Sequence, residues 1–121
     1  MAGLGKQYQD GEVIVRQGEA GNCMYVIQEG TVEVVAVSNG QETFLRELGP
    51  NDFFGEMALF EQATRTATIR SKGPSRVLTV DKKSLLGGIH DDPSLAFRLV
   101  QTMSHRIRDL TDRLANYEEP R

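Results

Sequence analysis

The dipeptide Asn39-Gly40 does more than any other feature to limit the folds open to this chain. Both residues favour positive φ, and the type I′ turn they make has the twist of the strands it joins. Runs 31–38 and Gln41–Leu48, rich in Val, Thr, Phe and Leu, are therefore expected to fold back on one another as a hairpin. Runs 12–16, 23–28, 66–70 and 75–81 share that character, with Gly, Asn, Pro and Asp between them. Gly49-Pro50-Asn51-Asp52 and Lys72-Gly73-Pro74 read as further turns. Short strands at close spacing imply an antiparallel sandwich or roll rather than a parallel sheet. Residues 1–10 show little periodicity and read as a loose arm, with Tyr8 packing back.

The pattern changes at Asp81. That residue is placed to cap a short helix through Leu86, with Gly87-Gly88 expected to end it. Asp92-Pro93 is an N-cap followed by proline at the first helical position, and 94–117 contains neither Gly nor Pro. One long helix is predicted there. Val100, Met103, Ile107, Leu110, Leu114 and Tyr117 recur at alternating intervals of 3 and 4, a heptad seam suited to a partner helix. Leu95, Phe97 and Leu99 widen the apolar face at the helix start, where packing on the strands is expected.

With 121 residues, the chain reads as a single domain, 1–121. A net charge of −3 gives no electrostatic footprint for nucleic acid. No apolar run is long enough to span a bilayer, and 1–10 lacks the pattern of a signal peptide. Cys23 is the only cysteine, so it reads as core filler in a reducing, cytoplasmic protein. A metal-dependent roll enzyme needs clustered ligands on strands, yet both histidines, His90 and His105, fall in the helical part. No nucleophile elbow, P-loop or dinucleotide fingerprint occurs. An enzyme is not expected, and no cofactor or metal site is predicted.

The chemistry concentrates in 54–68. Gly55 and Glu56 open an apolar turn, Met57-Ala58-Leu59-Phe60, and Arg65 follows Glu56 by nine residues. One helical turn with glycine at its start leaves backbone N–H groups free to face an anion. Arg65 can grip two phosphate oxygens in a bidentate fork. Glu56 would repel a phosphate, so a sugar hydroxyl suits it better. The bland alternative is a turn plugging the barrel, with Glu56 and Arg65 as a structural ion pair.

The stretch Phe54-Gly55-Glu56-Met57-Ala58-Leu59, a five-residue spacer and Arg65-Thr66-Ala67 resembles the phosphate-binding cassette of cyclic nucleotide-binding domains. These occur in bacterial catabolite activator proteins, protein kinase A regulatory subunits and cyclic nucleotide-gated channels. The likeness runs over roughly 11–114, with Gly11, Gly18, Met24-Tyr25-Val26-Ile27 and Gly30 fitting the first half of the family's roll. It implies a mainly β fold: an antiparallel β-roll, jelly-roll-like, over about 11–81, then a short and a long C-terminal helix over about 82–117. A helix usually precedes the roll in this family. Here it is either minimal or the chain is a piece of something larger.

The resemblance also implies a sensor rather than an enzyme. Its ligand would be cAMP, with cGMP as the alternative, and a module that has lost nucleotide binding as a further one. Phe54, Gly55, Met57, Ala58 and Leu59 would surround the cyclic phosphate, with backbone amides of Gly55, Ala58 and their neighbours donating to it. Arg65 would pair with its charge, Glu56 would hold the ribose 2′-hydroxyl, and Thr66-Ala67 would lie near phosphate or base. Aligning the long helices carries Leu110 and Thr111 to the purine, with Arg106 one turn earlier. The implied partners are the nucleotide, a second copy of the chain through the C-terminal helix, and an output element outside 1–121. A DNA-binding domain, nucleic acid and membrane insertion are not expected.

Overall fold

The structure is a computed structural model and describes residues 5–61 and 64–117. It divides into two compact units, one ending at Lys82 and one beginning at Lys83, and each is described by itself.

The first unit contains β1 (Lys6–Tyr8), β2 (Val13–Val15), β3 (Cys23–Ser38), β4 (Gln41–Leu48), β5 (Phe53–Phe54), α1 (Met57–Glu61) and β6 (Thr68–Asp81). All named strands pair antiparallel. Its spine is the long ladder of β3 against β6, from Cys23↔Asp81 to Val35↔Thr68. β1 and β2 lie beyond β6, and β4 and β5 lie beyond β3. This is the expected β-roll, with two differences in how its strands are cut.

First, 23–28 and 31–38 are one strand, and 75–81 continues back without a break to Thr68. Gly30 and Gly73 bend these strands instead of ending them. Their φ angles are +85° and +73°, and the β3–β6 register shifts around Gly30. A Cβ on Gly30 would fall 2.3 Å from the Pro74 carbonyl oxygen, so only glycine fits this crossing. The bend on β6 satisfies its own polar groups. Ser71 Oγ donates to the Gly73 carbonyl at 2.6 Å and lies 2.7 Å from the buried Ser75 hydroxyl, while Asp10 accepts the Gly73 N–H at 2.6 Å. Second, residues 6–8 form a strand on β6 and bury Tyr8 in the core, which overturns the loose arm for the described part of 1–10. Residues 1–4 lie outside the described residues.

Asn39 and Gly40 have φ of +54° and +78°, as the hairpin requires. The core gathers Tyr8, Val15, Ile27, Val32, Val34, Leu48, Phe54, Ile69 and Val77 from every strand of the roll. Ile27 and Val32 are fully buried. Outside it, Arg70 on β6 reaches Glu33 on β3 at 2.8 Å and Glu42 on β4 at 2.9 Å, tying three neighbouring strands together.

The second unit holds α2 (Lys82–Asp91) from its second residue onward and α3 (Ser94–Tyr117). The predicted stop at Gly87-Gly88 does not occur, because α2 runs through both. Glycine inside a helix costs about 1 kcal/mol relative to alanine, but Gly88 lets Leu95 of α3 come close. A Cβ there would lie 3.2 Å from Leu95 Cδ2. The helix ends where Pro93 forbids its continuation. α3 begins as expected: Asp92 Oδ1 accepts the Ser94 N–H at 3.1 Å and the Ser94 hydroxyl at 2.7 Å. Those bonds, with Arg98 nearby, hold the Asp92 carboxyl below the usual carboxylate range. Along the predicted seam Val100, Ile107, Leu110 and Leu114 are exposed and Met103 is half-buried. Phe97 is exposed, while Leu95 and Leu99 are half-buried. The side chain of Tyr117 lies outside the described residues. No described helix is long and apolar enough to cross a membrane.

Candidate functional site

Arg65 lies between α1 and β6, and a loop far away in sequence holds its backbone on both sides. Gly18 N–H donates to the Arg65 carbonyl at 2.9 Å, and Arg65 N–H donates to the Glu19 carbonyl at 2.8 Å. An isolated bridge joins Ala20 to Thr64. Gln17 fastens this loop to the roll. Its side-chain amide donates to the Val37 carbonyl at 2.9 Å and accepts Val37 N–H at 2.8 Å, and its own N–H reaches Thr68 Oγ1 at 3.0 Å.

The guanidinium of Arg65 is set among backbone carbonyls and an aromatic ring. Nη2 donates to the Cys23 carbonyl at 2.9 Å, and Nη1 to the Gly55 carbonyl at 3.3 Å. Cζ stands 5.6 Å from the centre of the Tyr25 ring, within cation–π range. Tyr25 also stacks with Phe54, centroids 5.0 Å apart. Burial pushes the Tyr25 hydroxyl up to about 12, helped by the Cys23 thiol and opposed by the Arg65 charge. Two glycines leave room for the guanidinium. A Cβ on Gly21 would fall 2.3 Å from its Cζ, and one on Gly55, where φ is +79°, 2.7 Å from Nη1. Beside Arg65 lies a half-open cavity of about 140 Å³, lined by 19–23, Ile14 and Tyr25 among others.

Of the predicted residues, Phe54, Gly55 and Arg65 come together here. Ala58 and Leu59 are buried, while Met57 is exposed. Two of the amides expected to stand free are engaged: Ala58 N–H bonds to the Gly55 carbonyl and Leu59 N–H to the Glu56 carbonyl, both at 3.1 Å. Glu56 is half-buried, Thr66 is exposed, and Ala67 packs against the core. β6 starts at Thr68, so Thr66 and Ala67 precede the strand rather than opening it. Arg106, Leu110 and Thr111 are on α3 in the second unit, with Leu110 and Thr111 exposed. Sequence reasoning missed Gly21, Tyr25 and the Cys23 carbonyl. Gly21 was detectable only as another glycine, since its role depends on an arginine far along the chain.

Chemically, carbonyls and a ring face stabilise a cation without cancelling its charge, and an arginine so held can still take an anion. Among the described residues, no group of three His, Cys, Asp or Glu side chains could hold a metal ion.

Residues 5–92 match the family model described as "Cyclic nucleotide-binding domain". This chain belongs to that family. The cyclic nucleotide-binding domain is 41% identical over 88 residues to a cAMP-dependent protein kinase regulatory subunit of Blastocladiella emersonii, covering 69% of this chain and 22% of that protein. It is 30% identical over 122 residues to a CRP-like cAMP-activated global transcriptional regulator of Mycobacterium tuberculosis, covering 96% of this chain and 54% of the regulator. Among solved structures, the catabolite activator protein of Thermus thermophilus superposes with a TM-score of 0.82 at 28% identity, over 93% of this chain and 53% of that one. The domain therefore spans about half or less of the curated relatives named here. Its roll is the fold of that family.

Proposed function

We propose that this domain senses cAMP and reports its presence to an output part through movement of the C-terminal helix. The observation that carries the reading is Arg65, half-buried beside a cavity, with its guanidinium set by the Cys23 and Gly55 carbonyls over the Tyr25 ring. Arg65 pairs with the cyclic phosphate, the Ala58 N–H exchanges its bond to the Gly55 carbonyl for the ligand alongside the other amides at Gly55, and Phe54, Met57 and Leu59 shape the turn that presents them. Glu56 accepts the ribose 2′-hydroxyl, and Thr66-Ala67 lie near phosphate or base. Arg106, Leu110 and Thr111 are assigned to the purine end on family resemblance. The ligand shifts the population between two placements of the helix, which a further domain or partner reads.

Two relatives carry cAMP in their names, which favours that ligand. One residue favours cGMP: Thr66, directly after the arginine, has a hydroxyl able to meet the guanine amino group. A neutral hydrogen bond of about 0.5–1.5 kcal/mol gives roughly tenfold at most, too little to decide alone. The seam from Val100 to Leu114 fits a two-fold dimer through α3, to be checked by light scattering across protein concentrations. In this reading the domain is a cytoplasmic regulatory module without catalysis of its own.

Calorimetric titration with cAMP, cGMP and cyclic dinucleotides tests the proposal. The expected result is cAMP binding at least as tightly as cGMP. A preference for cGMP beyond about tenfold would overturn the choice of ligand. If Thr66 touches guanine, Thr66→Ala weakens cGMP alone; equal weakening of both would place its hydroxyl on the shared phosphate.

A further inference from the structure

We propose that Gly21 is a positioning residue for the phosphate arginine: the space left by its missing side chain is where the Arg65 guanidinium sits. This rests on the reading of Arg65 as the phosphate partner. The three atoms nearest to a Cβ built on Gly21 all belong to that guanidinium: Cζ and Nε at 2.3 Å and Nη2 at 2.4 Å. Such distances are far inside van der Waals contact, so an added methyl must displace the group by about 1 Å or more.

Gly21 differs in kind from Gly30 and Gly55. Gly30 and Gly55 have positive φ, and Gly30 would meet backbone atoms, so a side chain at either strains the fold itself. Gly21 does not have positive φ, and what it would strike is the free end of a flexible side chain. The roll can therefore accept alanine at 21 while the guanidinium cannot stay in place. Retreat from the methyl lengthens the 2.9 Å bond from Nη2 to the Cys23 carbonyl and the already long 3.3 Å bond from Nη1 to Gly55. It also carries Cζ away from the Tyr25 ring, 5.6 Å distant. All the groups that orient the fork are lost together, and a bidentate grip depends on that orientation.

The test is Gly21→Ala made in the parent and in an Arg65→Lys background, with Arg65→Ala as control. Three measurements are taken: thermal melting, calorimetric titration with cAMP, and the Arg65 Nε–H resonance of the ligand-free protein. The melting temperature of Gly21→Ala should stay within about 2 °C of the parent. Its cAMP affinity should fall about tenfold or more, and the Arg65 resonance should move toward the value of a solvated arginine. In the Arg65→Lys background, where no guanidinium fills the space, Gly21→Ala should change affinity by less than about twofold. Parent-like affinity, or an unmoved Arg65 resonance, would overturn the proposal. So would equal losses in both backgrounds, which would make Gly21 a general loop residue, or a large drop in melting temperature, which would mean the fold rejects the methyl. Arg65→Ala binding cAMP as the parent does would bring down the phosphate assignment, and this inference with it.

Discussion

Arg70 meets two carboxylates, Glu33 at 2.8 Å and Glu42 at 2.9 Å, whereas Arg65, five positions earlier, turns its guanidinium to two backbone carbonyls and an aromatic face. Both side chains are well hydrogen-bonded, yet the electrostatic outcomes are opposite. Glu42 and Glu33 hold the Arg70 proton more firmly than an isolated guanidinium would and cancel its charge. Carbonyl dipoles orient Arg65 and leave its formal charge in place. Satisfying a cation's donors and neutralising its charge are thus separate matters. Arg70 acts as a clasp across β6, β3 and β4, whereas Arg65 keeps a charge that, in the function proposed above, meets the anion.

Substitutions at the two arginines and at Glu56 separate the two roles. The largest effect is expected for Arg65→Ala, where losing one side of a partly buried charge pair costs about 2–5 kcal/mol of ligand affinity. Circular dichroism should show the roll intact, and titration with cAMP should show binding near or beyond detection. Arg70→Ala should titrate like the parent, and a comparable loss there would erase the distinction.

Glu56→Gln comes next. A hydrogen bond to a charged group contributes about 1.5–3 kcal/mol, so affinity should fall by less than for Arg65→Ala. A 2′-deoxy cyclic nucleotide should bind the parent more weakly and the Glu56 variant almost as well as the ribonucleotide does. Simply additive losses in that double cycle would take Glu56 off the ribose.

The smallest change should be the stability cost of Arg70→Ala. Its side chain is 28% exposed and Glu42 51% exposed, so solvent screens the pairs and about 1 kcal/mol is expected. That cost should shrink in high salt. Denaturant unfolding at two ionic strengths measures it, and a salt-independent loss would point to packing of the arginine stem instead of charge.

The sequence made some of this legible because local chemistry decides it. Asn39-Gly40 needs only its own φ angles to make the hairpin, and Asp92 caps α3 through a residue two positions away. The Phe54-Gly55-Glu56 turn and Arg65 are legible because their spacing is fixed within one short segment. What the sequence hid depends on distant partners. Gly30 looks like a terminator until Pro74 is seen crossing it, and Gly87-Gly88 looks like a stop until Leu95 is seen against Gly88. β1 was hidden because its pairing is with 75–77, at the far end of the roll. Gly21, Tyr25 and the Cys23 carbonyl escaped for the same reason. Nothing near them in sequence announces that Arg65 lies among them.

In the proposed function the carbonyl-held arginine, and not the carboxylate-paired one, receives the ligand. Following the arginine Nε–H resonances during a cAMP titration tests it most directly. The Arg65 signal should shift progressively and saturate with the calorimetric binding curve, while the Arg70 signal stays where it began. A saturating titration that leaves Arg65 unmoved, or moves Arg70 instead, would take the ligand away from Arg65.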